Sequence, residues 1–574
     1  MTTCPMKNLE VAELLRNIAE LLEIQEENSF KIRAYEKAAL VIENLSEDIG
    51  KVWKEGRLEE LPGIGEALAE KISEFLEKGR LAYYEKLKKE VPIDMENLGK
   101  IPGLGPKTLK KLYRALKIRD VPSLEKAARA GNIRNLPGLG AKAEENILKS
   151  LAFSKSATRI PLGFALPHAE EIVARLRPLK DVKRIDIAGS LRRRKDTIGD
   201  IDLLVASKNP AAAIGAFASL PLVEQVLAKG DTKSSVRLKE GIQVDMRVID
   251  EKSYGAALIY FTGSKQHNIE LRKAAISKGC KLSEYGLFSN RTNALIAGKT
   301  EQDLYESLGL PYIEPELREN EGEIEAARQH KLPRLIMERD VRGDLQMHST
   351  WSDGSNTIGE MARAAQEMGH EYICITDHGG NLPIANALKG AQTKDYLKDI
   401  EKANNNIRGI TVLKGMEANI TKDGTIDVPN RILKQMDIVL GSIHSGFKNP
   451  KEEMTKRITK AMENEHVDII AHPTGRLINQ RPAYDTDFDA LLDTAKSTGT
   501  VLEINASPER LDLDASHVRA AVQRGVKLSI GTDAHTAESL KSIRLGVFTA
   551  RRGWAEKKDV INALPVKGML AQLK

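Results

Sequence analysis

Asp200 and Asp202 stand one residue apart, with Ile201 between them and the apolar run Leu203-Leu204-Val205 behind. On a strand, this period of two puts both carboxylates on one face and the apolar side chains on the other. Adjacent carboxylates repel unless a cation lies between them, and Mg²⁺ prefers carboxylate oxygens together with phosphate oxygens. Directly upstream, Gly189-Ser190 and the cluster Arg192, Arg193, Arg194 and Lys195 could hold the phosphates such a metal bridges, with Gly199 next to the first Asp. A lone Asp-x-Asp reads as a polar strand end beside a solvated charge run; the turn and the arginines favour the metal reading. A second run, Ile242 to Val248, alternates so that Gln243, Asp245 and Arg247 share a face. Paired beside the first strand, it would bring three carboxylates together, enough for two divalent ions in in-line phosphoryl transfer. One ion would lower the pKa of a 3′-hydroxyl and the other would bind a triphosphate.

The second half of the chain carries a different set of donors. Short apolar runs end in Asp377-His378, near Glu417, in His444, in His472-Pro473 and in Asp533-Ala534-His535. Ahead of them lies Asp344-Leu345-Gln346-Met347-His348-Ser349, followed by Ser352-Asp353-Gly354. One His at a strand end is usually a satisfied core or surface residue. His348, His378, His444, His472 and His535, joined by Asp353, Glu417 and Asp533, exceed the needs of one ion and imply two or three. Mixed imidazole and carboxylate ligands suit Mn²⁺, Zn²⁺ or Fe²⁺ better than Mg²⁺. Ions held there would activate water against a phosphoester.

The elements that must position these groups follow from periodicity. From 343 onward, apolar runs alternate with helices as in a barrel of parallel βα units, whose active sites gather at the C-terminal ends of the strands. Between 159 and about 250, strands are expected at 184–188, 201–206 and 242–249, with a helix from about 167 to 177. Residues 1 to about 96 read as helices, with apolar stripes at Val11, Leu14, Leu15, Ile18, Leu21 and Leu22 and at Ala34, Ala38, Val41 and Ile42. This block carries 14 Lys+Arg against 21 Asp+Glu, whereas 97–143 carries 11 against 2. The net charge of +6 for all 574 residues therefore hides a swing from an acidic to a basic block. Cys4, Cys280 and Cys374 are odd in number and far apart, as in a reducing cytosol. No apolar run approaches the ~18 residues of a membrane span, and no signal-peptide core opens the chain. Residues 314–340 are polar and Glu-rich, with Pro315 and Pro333, and read as a linker or a bridging helix, with the linker proper at 317–340.

An apolar-Pro-Gly-apolar-Gly turn occurs three times, around Gly63 and Gly65, Gly103 and Gly105, and Gly138 and Gly140. Each leads into a helix whose N-terminal N–H groups favour an anion. These turns resemble the helix-hairpin-helix motif, which implies sequence-independent grip on DNA phosphates, helped by Lys107 in the basic block.

Gly-Ser-x-Arg-Arg, then Gly-Asp-x-Asp, then a third Asp resembles the nucleotidyltransferase palm of family X DNA polymerases. Arg159-Ile160-Pro161 and Tyr260-Phe261-Thr262-Gly263-Ser264 match the same family. The resemblance implies that Arg159, Gly189, Ser190, Arg193 and Gly199 hold the triphosphate. It implies that Asp200, Asp202 and Asp245 hold two Mg²⁺ or Mn²⁺ ions, with Asp245 taking the primer hydroxyl proton. Tyr260, Phe261 and Gly263 would lie against the sugar, and Asn268 and Arg272 would contact the nascent base pair and template. Gln243 departs from the Arg of animal members, and Lys265 stands where an acid is found. The N-terminal block resembles the family's lyase domain, with Lys71 at its Schiff-base position and Lys31 and Tyr35 at 5′-phosphate contacts. Ala67 and Glu59 replace lysines there.

The second half resembles the PHP (polymerase and histidinol phosphatase) domain, a distorted (β/α)7 barrel, with Gln346 in place of the first His of its opening motif. The expected architecture is multidomain α and α/β. It comprises a helical lyase-like region (1–96), a basic helix-hairpin-helix region (97–158), a palm (159–250), a thumb (251–316), a linker (317–340) and a PHP domain (341–574). A palm followed by a PHP domain implies a cytoplasmic, monomeric repair polymerase. It would act on gapped double-stranded DNA and dNTPs, with a Mn²⁺- or Zn²⁺-dependent 3′→5′ exonuclease in the barrel and, in some members, abasic-site endonuclease activity. A template-independent transferase is the rival within enzymes, disfavoured by the Tyr260–Ser264 corner. A DNA-end scaffold is the rival outside them, disfavoured by three intact aspartates.

Overall fold

The computed structural model describes all residues except 1–5, 26, 44–48, 62, 92, 95–97, 99–103, 105, 142, 146, 149–150, 152–158 and 383–384. The chain forms two units, 1–158 with 479–481, and 159–478 with 482–574.

The first unit is helical, with helices Met6–Ile24, Ser29–Glu43, Ile49–Lys54, Glu66–Lys78, Ala82–Glu90, Pro106–Leu116 and Val121–Arg129 among its described residues. Val11, Leu15, Ile18 and Leu22 are buried as their spacing requires. On Ser29–Glu43 the inward stripe is Tyr35, Ala38, Ala39 and Ile42, while Ala34 is exposed. The i, i+3, i+4, i+7 pattern starts one residue later than the small Ala34 suggests, because the larger Tyr35 ring takes the buried position.

In the second unit a five-stranded sheet runs in the order Val182–Ile187, Ile201–Ser207, Gln243–Ile249, Lys233–Leu238, Val223–Lys229. Its central pair, Ile201–Ser207 with Gln243–Ile249, is parallel and the other pairs are antiparallel. Helices Leu162–Leu176 and Pro210–Ala218 cover one face, where Ile201, Leu203, Val205, Val244 and Met246 are buried. The other face is also covered beyond the aspartates. Leu204 and Ala206, on the same side as Asp202, pack against Tyr254, Ala257 and Leu258 of helix Tyr254–Thr262. The apolar residues thus occupy both faces, because a central strand flanked by helices has no solvent side.

Helices Tyr254–Thr262, Lys265–Ser277 and Glu301–Ser307 enclose a three-stranded antiparallel sheet, Cys280–Ser283, Gly286–Ser289 and Leu295–Ala297. The segment that follows is not a solvated tether. Arg318 is fully buried and ion-paired to Glu301 at 2.7 Å, and Glu301 also pairs with Arg192 at 2.6 Å. Glu323 lies 2.6 Å from the buried His267, and Ile324, Ala327 and Ile336 are buried. Its Glu-rich composition misleads because two of those glutamates turn inward, Glu323 onto His267 and Glu319 onto Arg193. Burial alone would raise the Glu301 carboxyl, but Arg318 and Arg192 outweigh it and pull it down to about 2. Glu301→Gln is expected to cost about 3–5 kcal/mol, since it leaves two buried guanidiniums without a counter-charge. A depressed carboxyl pKa contributes fully above the ordinary value and is lost as pH falls from about 4.5 toward 2. The melting-temperature gap between parent and variant should therefore be largest at pH 7 and narrow by pH 3.5.

The remaining strands are parallel, in the order Gly343–Asp344, Tyr372–Ile375, Thr411–Asn419, Ile438–Ser442, Ile469–Ile470, Val501–Asn505, Leu528–Gly531, with His378–Gly379 also pairing to Thr411–Asn419. The ends of this path approach each other. Asp533 N–H donates to the Gln346 carbonyl at 2.9 Å and His348 N–H to the Ala534 carbonyl at 2.8 Å, so the barrel is nearly closed. Among the described residues, no helix is long and apolar enough to cross a membrane.

Candidate functional site

Asp202 and Asp245 are register partners on the parallel central strands, and Asp200 immediately precedes the first of them. Burial and the neighbouring Asp200 and Asp245 charges push Asp202 up to about 7. Asp245 moves the other way. Burial opposes ionisation there, but hydrogen bonds from Ser235, Lys233 and Gln243 outweigh it. Gln243 Nε2 is 3.0 Å from Asp245 Oδ1, and Lys233 Nζ is 3.0 Å from Oδ2. Two carboxylates forced together with opposite shifts are a pair prepared for a shared cation. Sequence reasoning missed Lys233 and Ser235, whose approach depends on pairing with a strand ten residues away.

The Gly189–Arg192 helical turn begins against this pair. Gly189 has φ +62°, and a Cβ there would fall 2.1 Å from Asp202 Oδ2. Only glycine lets the backbone come this close. A cavity of about 440 Å³ opens beside it. Arg159, Gly189, Ser190, Arg193, Gly199, Asp200, Asp202, Tyr260, Phe261, Gly263, Asn268 and Arg272 line it, together with Thr262 and Lys265. All ten residues read from sequence as nucleotide contacts are thus brought to one cavity. The basic cluster, however, divides. Arg193 is held at the cavity wall by the Thr262 carbonyl and by Glu319 at 3.0 Å. Arg192 is committed to Glu301 and to Thr262 Oγ1. Arg194 turns away, its guanidinium 4.3 Å from the Phe548 ring centre. Tyr260 and Phe261 meet edge to face at 5.1 Å, and Asn268 Nδ2 donates to the Tyr260 carbonyl at 2.8 Å.

In the barrel, Glu417 is the hub. Its Oε1 is 3.1 Å from His472 Nε2 and 3.2 Å from His444 Nε2; its Oε2 is 3.3 Å from His348 Nε2 and 3.7 Å from His378 Nδ1. Asp533 Oδ1 approaches His348 Nε2 at 3.1 Å, and Asp353 Oδ2 lies 3.4 Å from His535 and 3.7 Å from His378. Three donor groups can be drawn within 4.8 Å: His348, Asp353, His378 and His535; His378, Glu417 and His444; His348, Glu417 and Asp533. Burial lowers His378 to about 4. Burial opposes the charged form of His348 too, but Asp533 and Glu417 outweigh it and raise it well above its usual range. Asp353 falls to about 2, the imidazoles overcoming its burial. His348 Nδ1 and His378 Nδ1 are buried without a hydrogen-bond partner, and the donor set is one that divalent metals fit.

Several barrel residues not singled out from sequence secure this cluster. Asp377 accepts from Ser349 N–H, Ser349 Oγ and Ser352 Oγ at 2.6–2.8 Å, fixing the loop before Asp353. Asp344 accepts from Thr532 N–H at 3.0 Å and Oγ1 at 2.5 Å, tying the first strand to the last. Glu503 accepts the His472 N–H at 2.7 Å, and Asn505 Nδ2 donates to Asp533 at 3.1 Å.

In the helical unit, Lys31, Tyr35 and Lys71 gather around Tyr83, a residue sequence reasoning missed. Lys31 Nζ and Lys71 Nζ lie 5.6 and 5.5 Å from its ring centre, and Tyr35 stacks on it at 6.4 Å. Gly63 has φ +84° and Gly138 φ +76°, while Gly65 precedes helix Glu66–Lys78. The Gly140 carbonyl accepts from Ala143 and Glu144 N–H. Gly103 and Gly105 lie outside the described residues, and Lys107 lies on helix Pro106–Leu116.

A palm-type sheet with three aspartates beside a nucleotide-sized cavity, joined to a parallel-strand barrel with a His-rich centre, defines a two-centre phosphoryl-transfer protein. Family models agree along the chain: helix-hairpin-helix domain at 6–81, SAM-like helix-hairpin-helix tandem at 95–152, DNA polymerase beta thumb at 257–319 and PHP domain at 344–507. The DNA polymerase/3′-5′ exonuclease PolX of Bacillus subtilis (strain 168) is 40% identical over 572 residues, covering 99% of this chain and 100% of that protein. A probable phosphatase of Caldanaerobacter subterraneus is 37% identical over 190 residues, 31% of this chain and 70% of that protein. Another, of Syntrophotalea carbinolica, is 31% identical over 230 residues, 38% of this chain and 90% of that protein. The chain belongs to the PolX family of DNA polymerases, family X enzymes with a C-terminal PHP domain.

Proposed function

We propose that this chain is a cytoplasmic, monomeric DNA-directed DNA polymerase that fills short gaps during base excision repair, with a 3′→5′ exonuclease in its PHP barrel. The observation that carries this is the single cavity lined by Asp200, Asp202 and ten candidate nucleotide contacts. Its size suits a dNTP, and no smaller phosphoryl substrate needs the Tyr260–Gly263 corner.

Arg159, Ser190, Arg193 and the backbone at Gly189 and Gly199 bind the triphosphate. Asp200, Asp202 and Asp245 hold two Mg²⁺ or Mn²⁺ ions, and Asp245, kept ionised by its hydrogen bonds, takes the primer 3′-hydroxyl proton. Tyr260, Phe261 and Gly263 exclude a 2′-hydroxyl, and Asn268 and Arg272 face the nascent pair. In the barrel, His348, Asp353, His378, Glu417, His444, His472, Asp533 and His535 hold two or three Mn²⁺ or Zn²⁺ ions. Divalent ions supply Lewis-acid activation of the attacking oxygen and neutralise phosphate charge in both centres. The helix-hairpin-helix turns at Gly63/Gly65, Gly103/Gly105 with Lys107, and Gly138/Gly140 grip the gapped backbone. Lys71, with Lys31 and Tyr35 on the 5′-phosphate, is the candidate for 5′-deoxyribose-phosphate lyase chemistry, and the barrel for abasic-site cleavage. The domains follow as 1–96 lyase-like, 97–158 DNA-binding, 159–250 palm, 251–316 thumb, 317–340 a packed bridge and 341–574 PHP.

A one-nucleotide-gapped duplex tests this, with Mg²⁺ or Mn²⁺ and with or without dNTPs. Template-directed extension that disappears in Asp245→Ala and survives in His378→Ala is expected; no extension with either metal refutes the polymerase reading.

Gln346 sets the metal content of the barrel. Its Nε2 donates to Glu417 Oε2 at 3.0 Å, presenting an N–H where an imidazole would present a lone pair. Gln346→His is expected to raise the Mn²⁺ bound per chain, counted by elemental analysis after equilibrium dialysis.

A further inference from the structure

The barrel reaches into the palm at the loop that carries the triphosphate side of the cavity. Asp196 lies there, and each of its carboxylate oxygens accepts from a barrel arginine. Arg476 Nη2 is 2.9 Å from Oδ2 and Arg552 Nη1 is 2.8 Å from Oδ1. Arg476 is also fixed from the barrel side. Arg476 Nε donates to the Arg510 carbonyl at 2.9 Å and its Nη2 also to the Leu511 carbonyl, and Arg552 closes helix Ile543–Arg552. The three side chains are between 9% and 22% exposed, so solvent screens these pairs little.

The next residue passes this anchorage on. The Thr197 carbonyl accepts from Arg159 Nη2 at 2.8 Å and its Oγ1 from Arg159 Nε at 3.1 Å. Thr197–Ile198 also pairs antiparallel with Ile160–Pro161, and the Asp196 carbonyl accepts the Leu162 N–H at 2.9 Å. Arg159 lines the nucleotide cavity beside Gly199. The surrounding contact leaves no play. A Cβ on Gly163 would fall 2.7 Å from the Pro508 side chain and 2.9 Å from Leu545, and Leu511 and Leu545 belong to the same apolar cluster as Leu166 and Ile198.

We propose that Asp196 is a positioning residue for nucleotide addition, and that Arg476 and Arg552 of the barrel orient Arg159 through it. The barrel is then a structural part of the polymerase nucleotide site as well as a second active centre. This rests on the reading of Arg159 as a triphosphate contact. A guanidinium free to swing off its phosphate weakens capture of the nucleotide more than the chemistry that follows, and small misplacements carry large kinetic costs.

The test uses the full chain on a one-nucleotide-gapped duplex, with dNTP titrations at saturating metal. Asp196→Asn is expected to raise KM for the incoming nucleotide about tenfold, with kcat within about twofold and 3′-end degradation unchanged. Asp196→Glu should recover part of the loss. Arg476→Gln and Arg552→Gln should each raise KM, and combined with Asp196→Asn should add little, since all three remove one linkage. If Asp196→Asn fails to fold, the two arginine variants decide by the same KM criterion. Arg159→Ala separates the layers. An unchanged KM in Arg159→Ala refutes the triphosphate reading itself. A raised KM in Arg159→Ala with a parental KM in Asp196→Asn, or in both arginine variants, overturns the positioning role alone.

Discussion

Asp202→Asn abolishes gap filling while leaving 3′-end degradation at the parental rate; this is the expected result of a gapped-duplex assay run with each centre's activity read separately. Asp202 is the register partner of Asp245 and follows Asp200 by two residues, so its carboxylate is the middle member of the three. Asparagine keeps its shape, and so keeps the close seating of Gly189 against its Oδ2. What it removes is one negative charge from the site proposed to hold cations. The contribution of such ions to phosphoryl transfer is several kcal/mol, so the loss should exceed about 10³-fold. A pH signature accompanies it. Burial and the Asp200 and Asp245 charges place Asp202 at about 7, so below that pH a cation must displace a proton to bind. Apparent affinity for Mg²⁺ in gap filling should therefore weaken as pH falls from 8 to 6. In Asp202→Asn, direct Mn²⁺ binding to the palm should be weaker and lose that slope.

What was legible in the sequence follows the range of the interaction that decides it. The adjacency of Asp202 and Asp245 is readable because alternation is a local property of each strand and a parallel pair needs only the correct register. Most barrel strand ends are readable for the same reason, since His378, His444, His472 and Asp533 each follow an apolar strand by two or three residues, whereas Glu417 lies inside strand Thr411–Asn419. The fate of the four cations at 192–195 is not readable. Arg192 is claimed by Glu301 and Arg194 by Phe548, each more than 100 residues away, and nothing in Arg-Arg-Arg-Lys distinguishes a phosphate ligand from an internal counter-ion. The choice between a linker and a bridging helix for 317–340 stays open in the sequence for a related reason, and helix Glu323–Arg328 packs as a bridge. Charge density reads as solvation until Arg318 and Glu323 are found paired inside. Tyr83, at the centre of the lysine cluster, is not legible because the Tyr83-Tyr84 pair on a short helix does not show which ring turns toward the lysines.

Glu417→Gln should separate the second centre as cleanly. Glu417 is met by His444 and His472 on one oxygen and by His348, His378 and Gln346 on the other, and it is shared by two of the three donor groups. No other carboxylate among the described residues touches four imidazoles. Glutamine fills the same space, but its amide N–H can only donate, and the negative charge that faces four imidazoles and would draw in cations is gone. Bound Mn²⁺ should fall by at least one ion per chain, and 3′-end degradation by more than about 10³-fold. Gap filling provides the control. The palm aspartates lie on a separate sheet, and the barrel residues that touch the palm, among them Arg476, Arg552, Phe548 and Leu545, are not members of the His cluster. Extension within about twofold of the parent rate, in a variant that no longer degrades 3′ ends, would show that the barrel supports nucleotide addition by its shape and performs hydrolysis by its donors. Degradation that persists undiminished would place the nuclease chemistry outside the barrel.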